Sequence, residues 1–336
     1  MSKFSKKRPL RGHPQYNMWV GVFCVLTLIV IGLFYYATQK IEYNWRWNRV
    51  PIYFAYKDNI EIRSEINGEV ESITIDGKEA SVTVKGIDAT ESYKVPADGI
   101  IVDQDEYISI GDTLATYQEW KIGLLIIGLW LTLKLSIMAT IIGVLIGIIG
   151  GVCRISSNPT LKWSSIVYVE LIRGSPLLVQ ILIWYFVIGT VANDLLAAYG
   201  LGRLQAYWYG VASLACFAGA YVTEIVRAGI QSIHRGQTEA ARSLGMTYPQ
   251  SMWHIILPQA MRRILPPLAG QFISLIKDSS LLGIIAIREL TKATREAVTA
   301  SLQPFELYIL CAILYLVLTF GLSMFVQYLE RRTVMT

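Results

Sequence analysis

EAARSLGMTYPQSMWHIILP, residues 239–258, sets Glu, Arg, Ser, Gly, Gln and Pro between two long apolar segments. Local signals within it predict two short helices. Gln237 to Leu244 favour a helix, Gly245 suits the position just past its end, and Thr247 caps a second helix starting near Tyr248-Pro249. Met252, Ile255 and Ile256 then share one face at i, i+3 and i+4, and Pro258 either terminates that helix or bends it. The enclosing loop, 231–263, is longer than a simple reversal between antiparallel helices requires. Such a helix–turn–helix at a membrane surface offers a stiff knob to a partner's groove. The same pattern also suits an interfacial amphipathic linker.

Composition says what surrounds the loop. Of 336 residues 53% are hydrophobic and only 16% charged, with a mean hydropathy of +0.43. Soluble domains carry about a quarter charged residues, so the clumped apolar residues here indicate an integral membrane protein. The net charge of +5 is dispersed over segment ends and forms no groove-lining stripe, which argues against nucleic-acid binding. Cys24, Cys153, Cys216 and Cys311 lie in or beside apolar runs without metal-ligand spacing, and read as small buried hydrophobes.

The first 17 residues hold Lys3, Lys6, Lys7, Arg8 and Arg11 and no acid. The apolar run Met18 to Ala37 is long enough to cross the bilayer. A signal peptide shares this layout, but the run ends in bulky Tyr35-Tyr36 without a small-residue cleavage site, favouring a retained spanning helix. Further apolar segments run from Ile122 to about Val152, Trp163 to Val191, Ala206 to Ile230, Ile264 to Ile287 and Phe305 to Tyr328. Alternating from an outside start puts loops 154–162 and 231–263 and the tail after 329 inside, with Arg154, Lys162, Arg235, Arg242, Arg262, Arg263, Arg331 and Arg332. Positive residues thus gather on the cytoplasmic side, and both termini are expected there. Residues 192–205 and 288–304 are left as outer loops.

Residues 40–119 differ, with 16 acids against 8 bases. Alternating stretches such as Ser-Val-Thr-Val, punctuated by Asn67-Gly68 and Asp76-Gly77, predict a small extracytoplasmic β domain with hairpin turns. Its second half, 95–115, resembles half of a biotinyl/lipoyl-type barrel-sandwich hybrid, in a Gly-centred turn followed by Ile110-Gly111-Asp112-x-Leu114. The lysine that carries the cofactor in those domains has no counterpart at the hairpin tip, so a structural or docking module is expected. The chain thus divides into a basic tail and helix (1–39), the β domain (40–119) and a helical core (120–336).

No P-loop, GxSxG, histidine pair or other metal-ligand pattern occurs, so neither catalysis nor a bound metal is expected of this chain. Glu239-Ala240-Ala241, then Arg242, Gly245 and Ile255-Ile256-Leu257-Pro258, resembles the EAA loop of binding-protein-dependent ABC importer permeases. Arg173-Gly174-Ser175-Pro176 through Gln180, Tyr221-Val-Thr-Glu224-Ile-Val-Arg227, and Lys277-Asp278-Ser279-Ser280 are similar to the polar amino-acid branch of that family. The resemblance covers about 120–330, and residues 1–119 add a helix and a β domain to it.

That resemblance implies a mainly α, polytopic type I importer permease fold of five core helices, plus the extra N-terminal helix and the inserted β domain. It implies a multi-pass protein of the bacterial cytoplasmic membrane. Its expected partners are an ABC ATPase dimer that carries ATP and Mg, a second permease chain and a soluble amino-acid-binding protein. The coupling residues are then Glu239, Ala240, Ala241, Arg242, Gly245, Leu257 and Pro258. Polar residues inside the bilayer mark a pathway, and the candidates are Gln180, Tyr221, Glu224, Asp278, Ser279 and Ser280. Glu224, with Tyr221 one turn earlier, suits a substrate ammonium or a cationic side chain, and Ser279 and Ser280, beside Asp278, its carboxylate and amine ends, while Glu170 is available to pair with Arg173. A secondary transporter or channel, or a membrane-anchored assembly protein using the β domain, are the competing classes.

Overall fold

The computed structural model describes residues 16–87 and 89–334, with side chains through Tyr328; the basic tail before Tyr16, with its five cations, lies outside the described residues. Among the described residues, six helices are long and apolar enough to cross a membrane: Tyr16–Lys40, Leu124–Ile155, Leu177–Ala198, Ala206–Gln231, Tyr248–Ile285 and Pro304–Tyr328. The chain divides at Trp47/Asn48 into two units. The first carries α1 (Tyr16–Lys40), followed by a cluster in which Trp45 stacks on Trp47 at 5.8 Å and receives Tyr43 edge-on at 5.3 Å. Aromatic clusters of this kind suit the membrane–water boundary.

In the second unit, β1 (Ala55–Arg63) pairs antiparallel with β6 (Thr113–Ile122), from Ala55↔Ile122 to Arg63↔Thr113. Between them, β2 (Gly68–Asp76), β3 (Glu79–Lys85), β4 (Thr90–Pro96) and β5 (Tyr107–Ile108) form an antiparallel sheet in the order β4-β3-β2-β5. Val70, Val82, Val84, Val95 and Leu114 fill its core. Asp76-Gly77 makes the hairpin turn expected of it, with Gly77 at φ +66. Asn67-Gly68 does not make one. Gly68 begins β2, where an added Cβ would sit 2.3 Å from the Lys85 carbonyl oxygen, so glycine is needed here for close approach. Asn67 instead accepts a hydrogen bond from the Ile110 N–H at 2.7 Å.

The β1–β6 ladder is the root of this domain. Lys121 on β6 donates to Asp58 on β1 at 2.5 Å, and that bond raises the lysine above its ordinary range. At its base Gly123 donates to the Phe54 carbonyl at 2.7 Å, and the chain passes directly into α2 (Leu124–Ile155).

α2 packs along α6 (Ala206–Gln231) through a seam of glycines. A Cβ at Gly143 would lie 2.9 Å from Ala218, and at Gly147 and Gly151 it would lie 2.3 and 2.5 Å from Val222 and Val226. Glycine or alanine every fourth residue lets membrane helices approach backbone to backbone, where packing takes over from the hydrophobic effect. α3 (Pro159–Arg173) closes on both, with Ser165 donating to the Gly150 carbonyl at 2.9 Å and Tyr168 to the Cys216 carbonyl at 2.6 Å.

The structure revises three boundaries. The apolar run from Trp163 to Val191 is not one helix: it breaks at Gly174-Ser175-Pro176, and α4 (Leu177–Leu182), a π-helical turn and α5 (Gly189–Ala198) form the spanning segment. Pro176 lacks an N–H and disfavours a helical Ser175 before it. Pro258 neither ends nor breaks its helix. A π-helical turn at Met252–Ile256 precedes it, and the chain continues into α9 (Leu257–Asp278). Finally, 288–304 is no open loop. After a 3₁₀ turn at Ser279–Ile285, α10 (Leu290–Ser301) runs antiparallel to the start of α2 before α11 (Pro304–Val334).

The α10 contact is specific. Buried Thr132 accepts the Leu290 N–H at 3.0 Å, and a Cβ at Gly128 would meet Ala293 at 2.8 Å. Glu289 caps the helix, fully buried. Its carboxylate accepts from the Thr291 and Lys292 N–H groups, both at 2.7 Å, and from the Tyr315 hydroxyl at 3.0 Å.

Two substitutions test this packing. Gly147→Leu is expected to destabilise the detergent-solubilised protein by ~1–3 kcal/mol or more through overpacking, read as a lower melting midpoint. Gly32→Leu on α1, where a Cβ meets nothing within 4 Å, should leave the midpoint unchanged. Thr132→Val keeps the side-chain shape but leaves the buried Leu290 N–H without its acceptor. A loss of ~1–3 kcal/mol is expected, largely recovered in Thr132→Ser.

Candidate functional site

Two features follow from this scaffold, and α6 and α9 carry both. The first is the loop between them. α7 (Arg235–Ser243) starts at His234, whose Nδ1 accepts the Gly236 N–H at 3.1 Å. It ends where Gly245, at φ +82, donates to the Arg242 carbonyl at 3.0 Å and Met246 donates to Ala241 at 3.1 Å. α8 (Tyr248–Ser251) then begins with a capping box, in which the Thr247 N–H donates to Gln250 Oε1 at 2.8 Å. Ala241 and Ile256 turn inward, while Glu239, Ala240, Arg242, Gly245 and Pro258 are exposed and Leu257 is half-buried. Leu244 is 83% exposed and Trp253 69%, an apolar cost that a lone soluble surface would avoid. A hydrogen bond from Gln259 to Gln237 at 3.1 Å ties α7 to the start of α9.

The second feature lies at the same end of the bundle. Three residues beyond the last glycine of the seam, Arg154 Nε meets Glu224 Oε1 at 2.7 Å. Arg227 binds the other carboxylate oxygen with Nη2 at 2.8 Å and Nε at 3.0 Å, and donates Nη1 to Gln231 at 2.6 Å. Glu224 is thus clasped by two guanidiniums, with side chains only 15% (Arg154), 18% (Glu224) and 32% (Arg227) exposed. Beside it opens a cavity of about 560 Å³ whose walls include Arg173, Tyr221, Arg263 and Pro267. The Arg173 guanidinium lies 5.1 Å over the Tyr221 ring, and Arg263 donates to the Ser232 carbonyl at 2.6 Å.

The residues singled out from the sequence fall in separate places. Tyr221 and Glu224 share this cavity. Gln180 is buried; its amide nitrogen donates to the Ile172 and Ser175 carbonyls and to Ser175 Oγ at 2.7, 3.1 and 2.9 Å, bracing the turn that separates α3 from α4. Asp278, Ser279 and Ser280 lie at the far end of α9, about 22 Å along the helix from Arg263. Ser279 is buried and donates to the Ile276 carbonyl at 2.7 Å. Glu170 does not reach Arg173; it lies 4.0 Å from Arg154, because α3 turns Arg173 toward Tyr221. Arg154 and Arg263 were not separable by sequence from the other cations of loops 154–162 and 231–263, whereas Arg227 stood in the Tyr221–Arg227 stretch. The glycine repeat ending just before Arg154 was the one available signal.

Known proteins agree with this architecture. The family model for the binding-protein-dependent transport system inner membrane component matches residues 143–335. The probable glutamine ABC transporter permease protein GlnM of Bacillus subtilis is 41% identical over 205 residues, 61% of this chain and 91% of that protein. The glutamine transport system permease protein GlnP of Escherichia coli is 36% identical over 63% of this chain and 93% of its own length. A crystal structure of an amino acid ABC transporter with histidines superposes with a TM-score of 0.56 at 41% identity, covering 62% of this chain and 94% of that one. The inward-facing MetNI methionine ABC transporter, at 18% identity and a TM-score of 0.52, shares the fold. With more than half of its length matched and the helical order in place, the chain belongs to the binding-protein-dependent transport system inner membrane component family.

Proposed function

We propose that this chain is the membrane-spanning permease subunit of an ATP-driven importer for polar or charged amino acids in a bacterial cytoplasmic membrane. The observation that carries the reading is the exposed α7–Gly245–α8 knob, held rigid by its own caps and continuous with spanning helices on both sides. The relatives' glutamine, cystine and arginine names support the substrate class. A dimer of ABC ATPases holds ATP and Mg and grips the knob around Glu239, Arg242 and Leu244. A second permease chain, identical or homologous, completes the pathway, and a soluble binding protein delivers substrate from outside. Both termini are cytoplasmic.

Closure of the ATPases on ATP pulls the two knobs, and the helices rock as rigid bodies between outward and inward openings. Of the polar groups at the far end of α9, Asp278 and Ser280 are half-buried and available to a substrate, whereas Gln180 and Ser279 donate to the backbone.

Coupling is tested in proteoliposomes containing the permease, its ATPase and the binding protein. Gly245→Pro removes the N–H that Arg242 accepts and cannot adopt φ +82. It is expected to insert normally yet lose at least about tenfold of substrate-stimulated hydrolysis and uptake together, as Glu239→Lys does by reversing an exposed charge on the knob. Normal stimulation in both variants overturns the coupling role, and consistent absence of a co-purifying P-loop ATPase overturns the importer reading. Glu224→Gln leaves Arg154 and Arg227 without a carboxylate and is expected to cost ~3–5 kcal/mol, seen as a lowered melting midpoint of the complex.

A further inference from the structure

The end of the β1–β6 ladder remote from α2 carries a groove that the chain leaves open. β1 spans nine residues from Ala55 to Arg63, which sets this end about 27 Å along the ladder from its root. There Ser64 donates to the Asp112 carbonyl and accepts the Gly111 N–H at its own carbonyl, both at 2.9 Å. The neighbouring loops enclose a space of about 600 Å³ whose walls include Glu65, Asn67, Glu69, Ile87, Tyr107 and Ile110.

The groove is preformed. Asn67 holds the Ile110 N–H, the Tyr93 hydroxyl accepts the Glu65 N–H at 2.9 Å, and Gly86 donates to the Ala89 carbonyl at 2.8 Å. The loops meet backbone to backbone: a Cβ on Gly86 would lie 2.7 Å from the Asn67 carbonyl oxygen. On this frame Ile87 is fully exposed, Tyr107 is 69% exposed and Ile110 63%, and none of the three joins the core built on Val70 and Val82. Single exposed apolar side chains are ordinary, but three lining one rigid groove mark a contact surface.

Charge selects the occupant. Lys85 at the rim is paired with Glu71 at 2.8 Å, whereas Glu65 and Glu69 make no ion pair among the described residues. A second copy of the chain docking here about a two-fold axis would set these carboxylates against their own copies, a like-charge contact that is selected against. An anionic lipid surface is repelled by the same two groups. The matching surface is an apolar side chain ringed by lysine or arginine on a soluble protein.

We propose that this groove is a docking site for the soluble amino-acid-binding protein, which inserts an apolar side chain between Ile87, Tyr107 and Ile110 and faces Glu65 and Glu69 with basic residues. The groove captures the binding protein, and opening of the pathway is left to the helical core. The inference rests on the importer reading proposed above, with the β domain on the outer side.

The test uses the full permease–ATPase complex in nanodiscs of zwitterionic lipid, together with the binding protein that stimulates its ATP hydrolysis. Ile87→Ser/Tyr107→Ala is expected to raise the binding-protein concentration for half-maximal stimulation at least about tenfold, with hydrolysis at saturation and the melting midpoint unchanged. Ile75→Ser, exposed on β2 outside the groove, should change none of these. Raising salt from about 0.05 to 0.5 M should weaken wild-type binding and act less on Glu65→Gln/Glu69→Gln, because screening then has less attraction to remove. A photo-crosslinker in place of Ile87 should give an adduct with the binding protein. An unchanged half-maximal concentration in the apolar variant, an equal loss in Ile75→Ser, or a salt dependence that survives the glutamine substitutions in full overturns the inference. So does crosslinking at position 87 only to a second permease chain or to lipid. If no soluble protein stimulates hydrolysis, the importer reading itself fails; stimulation indifferent to the groove variants fails only this site.

Discussion

The approach of α2 to α6 sets the rest of the core. Gly143, Gly147 and Gly151 remove the side chains that would hold the helices apart, and the gaps they leave receive Ala218, Val222 and Val226. In lipid no water is released when two apolar helices meet, so association depends on close fit. A seam this close also fixes rotation and register. Its continuation by three residues brings Arg154 onto Glu224, so this ion pair between α2 and α6 is a consequence of the glycine spacing and not an independent attraction. α3 then reads the composite surface, with Ser165 bonded to α2 and Tyr168 to α6.

The same economy governs the polar groups. A charge drawn below the membrane surface is costly unless it is paired, and Glu224 resolves two such costs at once by bridging Arg154 and Arg227. Buried Glu289 is handled differently. Two backbone N–H groups at the start of α10 and one hydroxyl satisfy its oxygens, so a carboxylate becomes the anchor of a half-length helix. Gln180 performs the corresponding service at the α3–α4 break. In each case a residue whose type suggests a pathway is first of all a solution to the shortage of water. Intramembrane polarity alone therefore does not separate substrate groups from braces. The partners show which are braces: Gln180 and Ser279 donate to backbone carbonyls.

How much was legible follows from range of interaction. The spanning segments were readable because each is a long apolar run, and the α7–Gly245–α8 knob was readable because caps and turns are written within four or five residues. The Asp76-Gly77 hairpin belongs to the same local class. Asn67-Gly68 has the same letters and a different fate, since its glycine answers to Lys85, seventeen residues away. The Trp163–Val191 run hid a break because its hydropathy is continuous and only Gly174-Ser175-Pro176 marks the turn. α10 looked like a loop because its charges Arg288, Lys292, Arg295 and Glu296 dominate the sequence, while Leu290, Ala293 and Ala297 bury a narrow face. The glycine seam joins residues 75 positions apart, Gly143 to Ala218 and Gly147 to Val222, and no local pattern names the partner.

The β domain is mechanically part of this arrangement. Its two root strands pair from Ala55↔Ile122 outward, and Gly123 sits so close to Tyr53 that an added Cβ would lie 2.3 Å from that residue's carbonyl carbon. No flexible linker intervenes between β6 and α2. Tyr53 packs with Leu125, Leu290 and Cys311, placing the ladder's base against α2, α10 and α11 together. At the opposite end of the bundle, α6 and α9 lead into the α7–α8 knob just as directly. The knob is thus joined through α6 and its glycine seam to α2 and to the base of the β domain by close backbone packing.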